Sequence, residues 1–270
     1  MTKVTIMRIL FLSLLCMGIL QASPISTPLL DTNENSGSIQ ASQLKVGMSG
    51  FIIRHFDDKH SSIIANMRVS EINTDTNRAL IDISPYDGLR QNFLPSGKWK
   101  AKTNDEVVVA YDYERALLIA PNVDTYNTLT RSIPNIEWVH PDTFATYLSH
   151  EGHPTPLVKD FHNFCTANSV GLLYVQSSDI LFTLDCKNFA LLETATTPDL
   201  KKESMTPFYT RAPKIRANWF GAGSSRLEDY ESYYLEEIAL NNSKNKELYK
   251  LYKAKFSEKS ALLRNFDIKD

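Results

Sequence analysis

The sequence predicts an α+β protein in three parts: a small antiparallel β-barrel-like module, a compact mixed α/β module and a helical C-terminal tail. Three observations predict this order. Short stretches of alternating apolar residues, separated by turn-forming residues, fill residues 44–114. Strand-like and helix-like stretches are interspersed over residues 115–198. Residues 225–270 are highly charged and repeat their apolar positions at helical spacing.

Residues 1–22 have the pattern of a secretory signal peptide. Lys3 and Arg8 form a positive start, residues 9–20 are mostly apolar, and Ala22 is a small residue that suits cleavage. A retained single anchor is the alternative, although the apolar run is short for a membrane span. We therefore expect export to the periplasm or cell surface of a Gram-negative bacterium. A peripheral association with the outer membrane is compatible with this.

The overall composition is that of a globular protein. Of the 270 residues, 43% are hydrophobic and 22% are charged. The 29 basic residues nearly balance the 31 acidic ones, so the basic excess typical of nucleic-acid-binding proteins is missing from the sequence. No nucleic-acid partner is therefore predicted.

The first module is expected to begin after a flexible leader. Residues 23–43 are rich in Ser, Asn, Thr and Pro, a composition typical of loops. Beyond them, apolar residues alternate with polar ones and polar turns follow at short intervals. The predicted strands are residues 50–56, 63–72, 79–84 and 107–113.

The second module mixes helices with strands. Residues 116–120 predict a strand, residues 123–133 a helix and residues 136–139 another strand. Two further helices are expected, one from Pro141 to Leu148 and one over residues 154–165. The last three predicted strands are residues 171–176, 180–185 and 189–196. The first of these is apolar at nearly every position, which indicates a central strand covered on both faces.

Cys165 and Cys186 are the only cysteines left once residues 1–22 are removed. In an oxidising compartment they are expected to form a disulfide. If Ser177 and Ser178 turn a hairpin, Ser169 faces Cys186, and the helix that carries Cys165 could fold back onto that strand end. Closing this loop would stabilise the fold by roughly 3 kcal/mol. Two separate buried thiols are the alternative.

A linker over residues 199–224 precedes the charged tail. Ser225 and Glu228 have the spacing of a helix capping box. Residues 226–240 hold one Arg and five acids, a net charge of −4, whereas residues 243–270 hold eight cations and four acids, a net charge of +4. From charge alone, a solvated helical hairpin with complementary faces is the favoured interpretation.

No residue pattern predicts catalysis, a cofactor or a metal site. The HEGH stretch, His150 to His153, lies near His140 and His162 but lacks H-E-x-x-H spacing, so a solvated loop is favoured over a zinc site. The glycines of residues 221–225 are expected to serve as a helix cap and hinge rather than to hold a phosphate. The protein is therefore expected to bind a partner rather than to act as an enzyme.

Several segments together resemble one known family. LKVGMSGFIIRHF, IIANMRV, LLIAPNVDTY, FCTANSVGLLYV, ILFTLDCKNFALLE and TPFYTR occur here in order. They are similar to the N-terminal domain of PgbA-type plasminogen-binding proteins of Helicobacter-like bacteria, over Leu44 to Ile215. The resemblance implies an exported, surface-exposed protein that recruits host plasminogen through lysines. It also places both cysteines at the family's paired positions.

In that family the lysine-dependent binding is attributed to a C-terminal lysine, whereas Lys269 here precedes Asp270. Removal of Asp270 would expose Lys269 as the terminal residue. Internal lysines can imitate such a ligand when an acid lies beside them on a helix, as Glu247 lies beside Lys246 or Lys250 and Glu258 beside Lys255. The predicted binding residues are Lys246, Lys250, Lys253, Lys255, Lys259 and Lys269. The alternative function is a periplasmic envelope- or flagellum-associated scaffold that does not bind plasminogen.

Overall fold

The computed structural model describes residues 23–86, 88, 99–197, 203–256 and 261–268. The predicted signal peptide, residues 1–22, lies outside the described residues. The described part contains a curled antiparallel sheet, a second mixed sheet and five α-helices. The predicted α+β fold class, with its barrel-like module, mixed module and C-terminal helices, is confirmed.

The first sheet is a seven-stranded antiparallel half-barrel. Its strands are β1 Ile25–Pro28, β2 Asp31–Thr32, β3 Ser36–Gln40, β4 Ser49–Asp57, β5 His60–Asn73, β6 Arg78–Pro85 and β7 Glu106–Val109. In space they follow the order β1-β7-β4-β5-β6-β3-β2. Strands β4 to β6 form because alternate apolar residues point inward, and Ala65, Met67 and Val69 are all buried.

The prediction of a flexible leader over residues 23–43 is wrong, because β1 to β3 lie within it. β1 pairs with β7 and β3 pairs with β6. Leu29 and Ile39 are fully buried in the half-barrel core. The polar residues between them have partners in the sheet, as when the Ser38 hydroxyl donates to Asp31 at 2.5 Å. A polar composition is therefore compatible with strands whose partners lie far along the chain.

The predicted strand over residues 107–113 ends earlier, at Val109. Ala110 has a φ of 59°, a left-handed conformation that interrupts the alternation. Tyr113 is buried, but Tyr111 is 48% exposed. The two tyrosines therefore do not share one face as the alternation predicts.

The second sheet has five strands: β8 Arg115–Ile119, β9 Glu137–Val139, β10 Leu172–Ser177, β11 Ile180–Asp185 and β12 Leu191–Thr196. Its order is β12-β11-β10-β8-β9, with β8 parallel to both β9 and β10 and the other pairs antiparallel. Every residue of β10 is buried. The prediction of a central strand covered on both faces is confirmed.

The helices are α1 Val123–Ser132, α2 Pro141–Glu151, α3 Val158–Asn168, α4 Tyr230–Asn241 and α5 Lys246–Lys255, followed by a 3₁₀ turn, Ala261–Asn265. The predicted capping box at Ser225 and Glu228 is wrong, because α4 begins later. The side chain of Asp229 caps it instead by accepting from the Ser232 N–H at 3.1 Å. No described helix combines the length and the apolarity needed to span a bilayer.

The second sheet is the middle layer of the molecule. Leu117 and Ile119 of β8 face a core shared with helices α2 to α5, while Ala116 and Leu118 face the half-barrel and α1. Tyr234 of α4 and Tyr252 of α5 are fully buried in the first of these cores. The C-terminal helices are therefore packed onto the fold.

The segment predicted as a linker also packs against this core. Phe208 and Ile215 are buried in it. The Asp142 side chain, in the first turn of α2, accepts from the Thr210 hydroxyl at 2.8 Å and from the Arg211 guanidinium at 2.7 Å. Residues 203–224 therefore lie along the helical layer rather than forming a detached connector.

Candidate functional site

The predicted disulfide is present and joins α3 to the end of β11. Cys165 and Cys186 are bonded, with their Cα atoms 5.9 Å apart. Both residues are buried in the helix-side core. Such bonds form and persist in oxidising compartments.

The predicted hairpin register beside this bond is wrong by two residues. Ser178 adopts a left-handed conformation, with a φ of 53°, and the turn falls at Ser178 and Asp179. The Cys186 N–H therefore donates to the carbonyl of Gly171 at 2.9 Å, and Ser169 does not face it. The disulfide is possible in this register because Cys165 lies on the helix immediately before β10.

A buried carboxylate lies next to the disulfide and joins the two sheets. The Asp185 side chain is fully buried and accepts from the N–H and hydroxyl of Ser49, at 2.9 and 2.6 Å, and from the Tyr113 hydroxyl at 2.8 Å. The N–H groups of Lys187 and Asn188 also donate to it. Burial raises the pKa of Asp185, and the Ser49 and Tyr113 donors oppose that shift.

A cleft of about 570 Å³ opens between the half-barrel and the surface formed by α3 and the residues after β11, and Ser49, a partner of this carboxylate, lines it. The Lys187 ammonium lies 2.6 Å from the Asp112 carboxylate and 4.4 Å from the centroid of the Phe51 ring. On the opposite wall, the Arg68 guanidinium lies 3.0 Å from Asp82. These two cations are thus each paired with an acid of the protein itself.

The HEGH stretch is not the solvated loop that the sequence predicts. His150 is exposed but lies in the last turn of α2, and Gly152, with a φ of 74°, ends that helix. The chain then turns inward, and the buried His153 lies 2.9 Å from a carboxylate oxygen of Asp160. Within the described residues no three His, Cys, Asp or Glu side chains are grouped to hold a metal ion.

Helix α5 carries four of the predicted binding lysines, and all four are exposed. Its inner face is formed by Leu248 and Tyr252, which are buried. Lys246, Lys250 and Lys253 are spaced at i, i+4 and i+7, so they lie along the opposite, outward side of the helix. We call these three residues the lysine face.

Two of these lysines pair with an acid, one with an acid on α5 itself and the other with an acid in the β10–β11 turn. The Lys250 ammonium lies 2.8 Å from the Glu247 carboxylate, the internal pairing predicted from the sequence. Lys255 instead contacts Asp179 in the β10–β11 turn, and this hydrogen bond lowers the pKa of that carboxylate. Lys259, Lys269 and Glu258 lie outside the described residues.

Comparison with known proteins identifies the family to which this chain belongs. Residues 24–238 match the family described as "Plasminogen-binding protein pgbA N-terminal". The chain belongs to this family. The matched segment begins at the half-barrel and ends within α4, so it extends beyond the segment from Leu44 to Ile215 that carries the resemblance in the sequence. The lysine face lies C-terminal to the match.

Two PgbA relatives come from Helicobacter pylori and are named "Plasminogen-binding protein PgbA". The protein of strain J99 is 27% identical over 228 residues, which cover 83% of this chain and 49% of the relative. The protein of strain 26695 is 26% identical over 228 residues, covering 83% of this chain and 48% of the relative. The chain thus spans about half the length of these curated relatives. No solved structure matches it.

Proposed function

We propose that this chain is an exported, non-enzymatic protein that binds host plasminogen, and that the lysine face of α5 contributes to that binding. The PgbA relatives are named for plasminogen binding, which makes plasminogen the first partner to test. The observation that carries the proposal is the common direction of Lys246, Lys250 and Lys253, whose helix is fixed by its buried inner side.

The chemistry of the lysine face suits a site that takes up a lysine side chain. A lysine-binding pocket requires an ammonium with a carboxylate at a suitable separation, and Glu247 lies beside Lys250. Both side chains of this pair are more than two-thirds exposed. Exposed ion pairs contribute little stability, so the pair can open toward a partner at small cost. Lys246 and Lys253 add positive charge within a Debye length.

Export is supported by two features. Residues 1–22 have the signal-peptide pattern, and the bond between Cys165 and Cys186 is typical of proteins outside the reducing cytoplasm. Of the two exported locations, the cell surface would place the lysine face where an extracellular protein can reach it.

The proposal is tested with purified protein that begins at residue 23 and immobilised plasminogen. The triple variant K246Q/K250Q/K253Q is compared with K59Q/K102Q/K159Q, which removes three exposed lysines from other surfaces. Since a hydrogen bond to a charged group contributes about 1.5–3 kcal/mol, we expect the first variant to bind roughly ten- to a hundred-fold more weakly. The second variant should bind like the unaltered protein. Equal binding by all three proteins would exclude the lysine face.

A second comparison addresses the lysines outside the described residues. Protein that ends at Lys269 should bind more tightly than protein that ends at Asp270 if a terminal lysine is the family's ligand. Absence of plasminogen binding by every version, together with protection of α5 from protease on intact cells, would favour the scaffold function instead.

A further inference from the structure

Two adjacent aromatic side chains project from the surface near the end of the linker segment, before α4. Trp219 is 100% exposed and Phe220 is 87% exposed. Every residue from 216 to 222 is exposed, so the aromatic pair lies on a protruding tip rather than in a groove. Full exposure of two large aromatic rings leaves extensive apolar surface in water, which is unfavourable unless a partner covers it. We call residues 216–226 the aromatic loop.

The backbone of the aromatic loop is attached to the fold on both sides of the tip. Before it, the Asn218 N–H donates to Gly152 at 2.9 Å and the Asn218 amide donates to Glu151 at 2.8 Å, both at the end of α2. After it, the Thr155 N–H donates to Gly223 at 3.2 Å and the Thr155 hydroxyl donates to Ser225 at 2.7 Å. These bonds hold the two rings outward, so a partner does not have to order the loop.

Two glycines make the turn at the tip possible. Gly221 has a φ of 113° and Gly223 a φ of 82°, conformations that favour glycine. A Cβ atom added at Gly221 would meet nothing within 4 Å, which again places this residue on an open protrusion. The glycines predicted as a cap and hinge therefore shape the exposed tip.

The aromatic loop itself is positive. Residues 216–226 contain Arg216 and Arg226 and no Asp or Glu, Lys214 lies two residues before them, and the first acids that follow are Glu228 and Asp229. All three cations are exposed. The Arg226 guanidinium donates to a backbone carbonyl, that of Ile215, at 3.4 Å. The charge of the loop is thus available to an anionic surface.

We propose that the aromatic loop inserts into the interface of an anionic phospholipid bilayer and holds the protein on the membrane surface. Trp rings favour the headgroup region of membranes, and exposed Phe is buried at the boundary with the acyl chains. Lysines and arginines beside the aromatics attract anionic headgroups. A protein partner is disfavoured because aromatic anchors of protein interfaces fill well-packed pockets at the centre of a broad patch, whereas this pair stands on a narrow tip.

Insertion of the aromatic loop would account for the predicted peripheral association with the outer membrane. This membrane contact does not depend on plasminogen binding, because the aromatic loop precedes α4 whereas the lysine face lies on α5. The two proposals therefore fail independently.

The test is sedimentation of the protein beginning at residue 23 with phosphatidylcholine vesicles, with and without anionic phosphatidylglycerol. We expect binding to the anionic vesicles and a blue shift of tryptophan fluorescence. The variant W219S/F220S should bind at least ten-fold more weakly, since it removes the apolar contact. The matched control F56S/W99S alters another exposed aromatic pair, whose ring centroids are 4.9 Å apart, and should leave binding unchanged.

Two further variants separate the contribution of the cations to vesicle binding from that of Trp219. K214Q/R216Q/R226Q should weaken binding to anionic vesicles, roughly five-fold for each lost cation. W219F should retain vesicle binding but lose the fluorescence shift, because Trp219 is the tryptophan expected to enter the bilayer. Failure of the unaltered protein to bind anionic vesicles would overturn the proposal. If W219S/F220S then lowers plasminogen binding, the loop is a protein-binding surface instead.

Discussion

The contact between the two sheets at Asp185, which we call the seam, buries a charged group, whereas the lysine face of α5 exposes its charged groups to solvent. Asp185, at the end of β11, is fully buried and accepts from Ser49 of the half-barrel and from Tyr113 in the turn between β7 and β8. In the lysine face, Lys250 is 69% exposed and pairs with Glu247, a neighbour on its own helix. A buried carboxylate must have partners, and those partners fix the packing around it. An exposed ammonium leaves the fold unconstrained and remains available for recognition.

The largest effect is expected at the seam. Asp185→Ala leaves the Ser49 and Tyr113 donors without their acceptor in a dry interior, so the free energy of unfolding should fall by about 3–5 kcal/mol. Urea denaturation measures this loss. Asp75→Ala, at an exposed turn, is the matched control and should change stability by less than about 0.5 kcal/mol. Similar losses in both variants would show that Asp185 does not join the sheets.

The next effect concerns the disulfide beside that carboxylate. The bond closes a loop with a sequence separation of 21 residues, so Cys165→Ala/Cys186→Ala should lower the free energy of unfolding by about 3 kcal/mol. Reductant should lower the stability of the unaltered protein to the level of the double variant and leave the variant unchanged. If reductant destabilises both equally, the bond is not the cause.

The Asp142 side chain is partly exposed, so its burial is intermediate between that of Asp185 and that of Lys250. It attaches the linker segment to α2. Burial opposes ionisation of this carboxyl, but donors from Arg211 and Thr210 outweigh it and lower its pKa. Its stabilising contribution is therefore present above the unfolded pKa, about 3.9, and is lost as the pH falls through the lower folded value.

The matching variant is Asp142→Asn. It should unfold more easily than the unaltered protein at pH 7, by about 1 kcal/mol, and the difference should shrink as the pH is lowered below about 4. Thermal unfolding across this pH range provides the measurement. A difference that stays constant with pH would show that the charge of Asp142 is not responsible.

The smallest effect on stability is expected at the lysine face. K246Q/K250Q/K253Q should change the free energy of unfolding by less than about 0.5 kcal/mol, because exposed ion pairs contribute little. The same variant is expected to lose plasminogen binding, so stability and binding should separate. A loss of stability above about 1 kcal/mol would place these lysines in the fold and remove the contrast with Asp185.

Local sequence pattern predicts the parts of the fold whose partners are close in the chain. The alternation of Ala65, Met67 and Val69 predicts β5, and the apolar run at residues 171–176 predicts the central strand β10. The first strands escaped prediction because they are short and polar. Ile25 pairs with Val109, which no local pattern can show.

The lysine face and Asp185 show the same difference between contacts that are local in the chain and contacts that are distant. Helical spacing places Lys246, Lys250 and Lys253 on one side of α5, and of the two lysines that the sequence offers Glu247 as partners, Lys250 pairs with it. The partner of Lys255 is Asp179, 76 residues away, and was missed for that reason. Asp185 was missed as well, although an acid that ends a largely apolar strand is a usable sign of a buried carboxylate.

The ladder between β1 and β7 has a consequence for the order in which the chain can fold. Ile25 is opposite Val109, so β1 has no ladder until a segment more than eighty residues downstream has emerged. A chain that crosses a membrane from its N-terminus delivers β1 first and its partner much later. Long-range pairings of this kind slow folding, since the intervening loop must be closed before the contact forms. The half-barrel is therefore completed only after residue 109 has emerged, and under the export proposed above this would follow translocation of the first hundred or so residues.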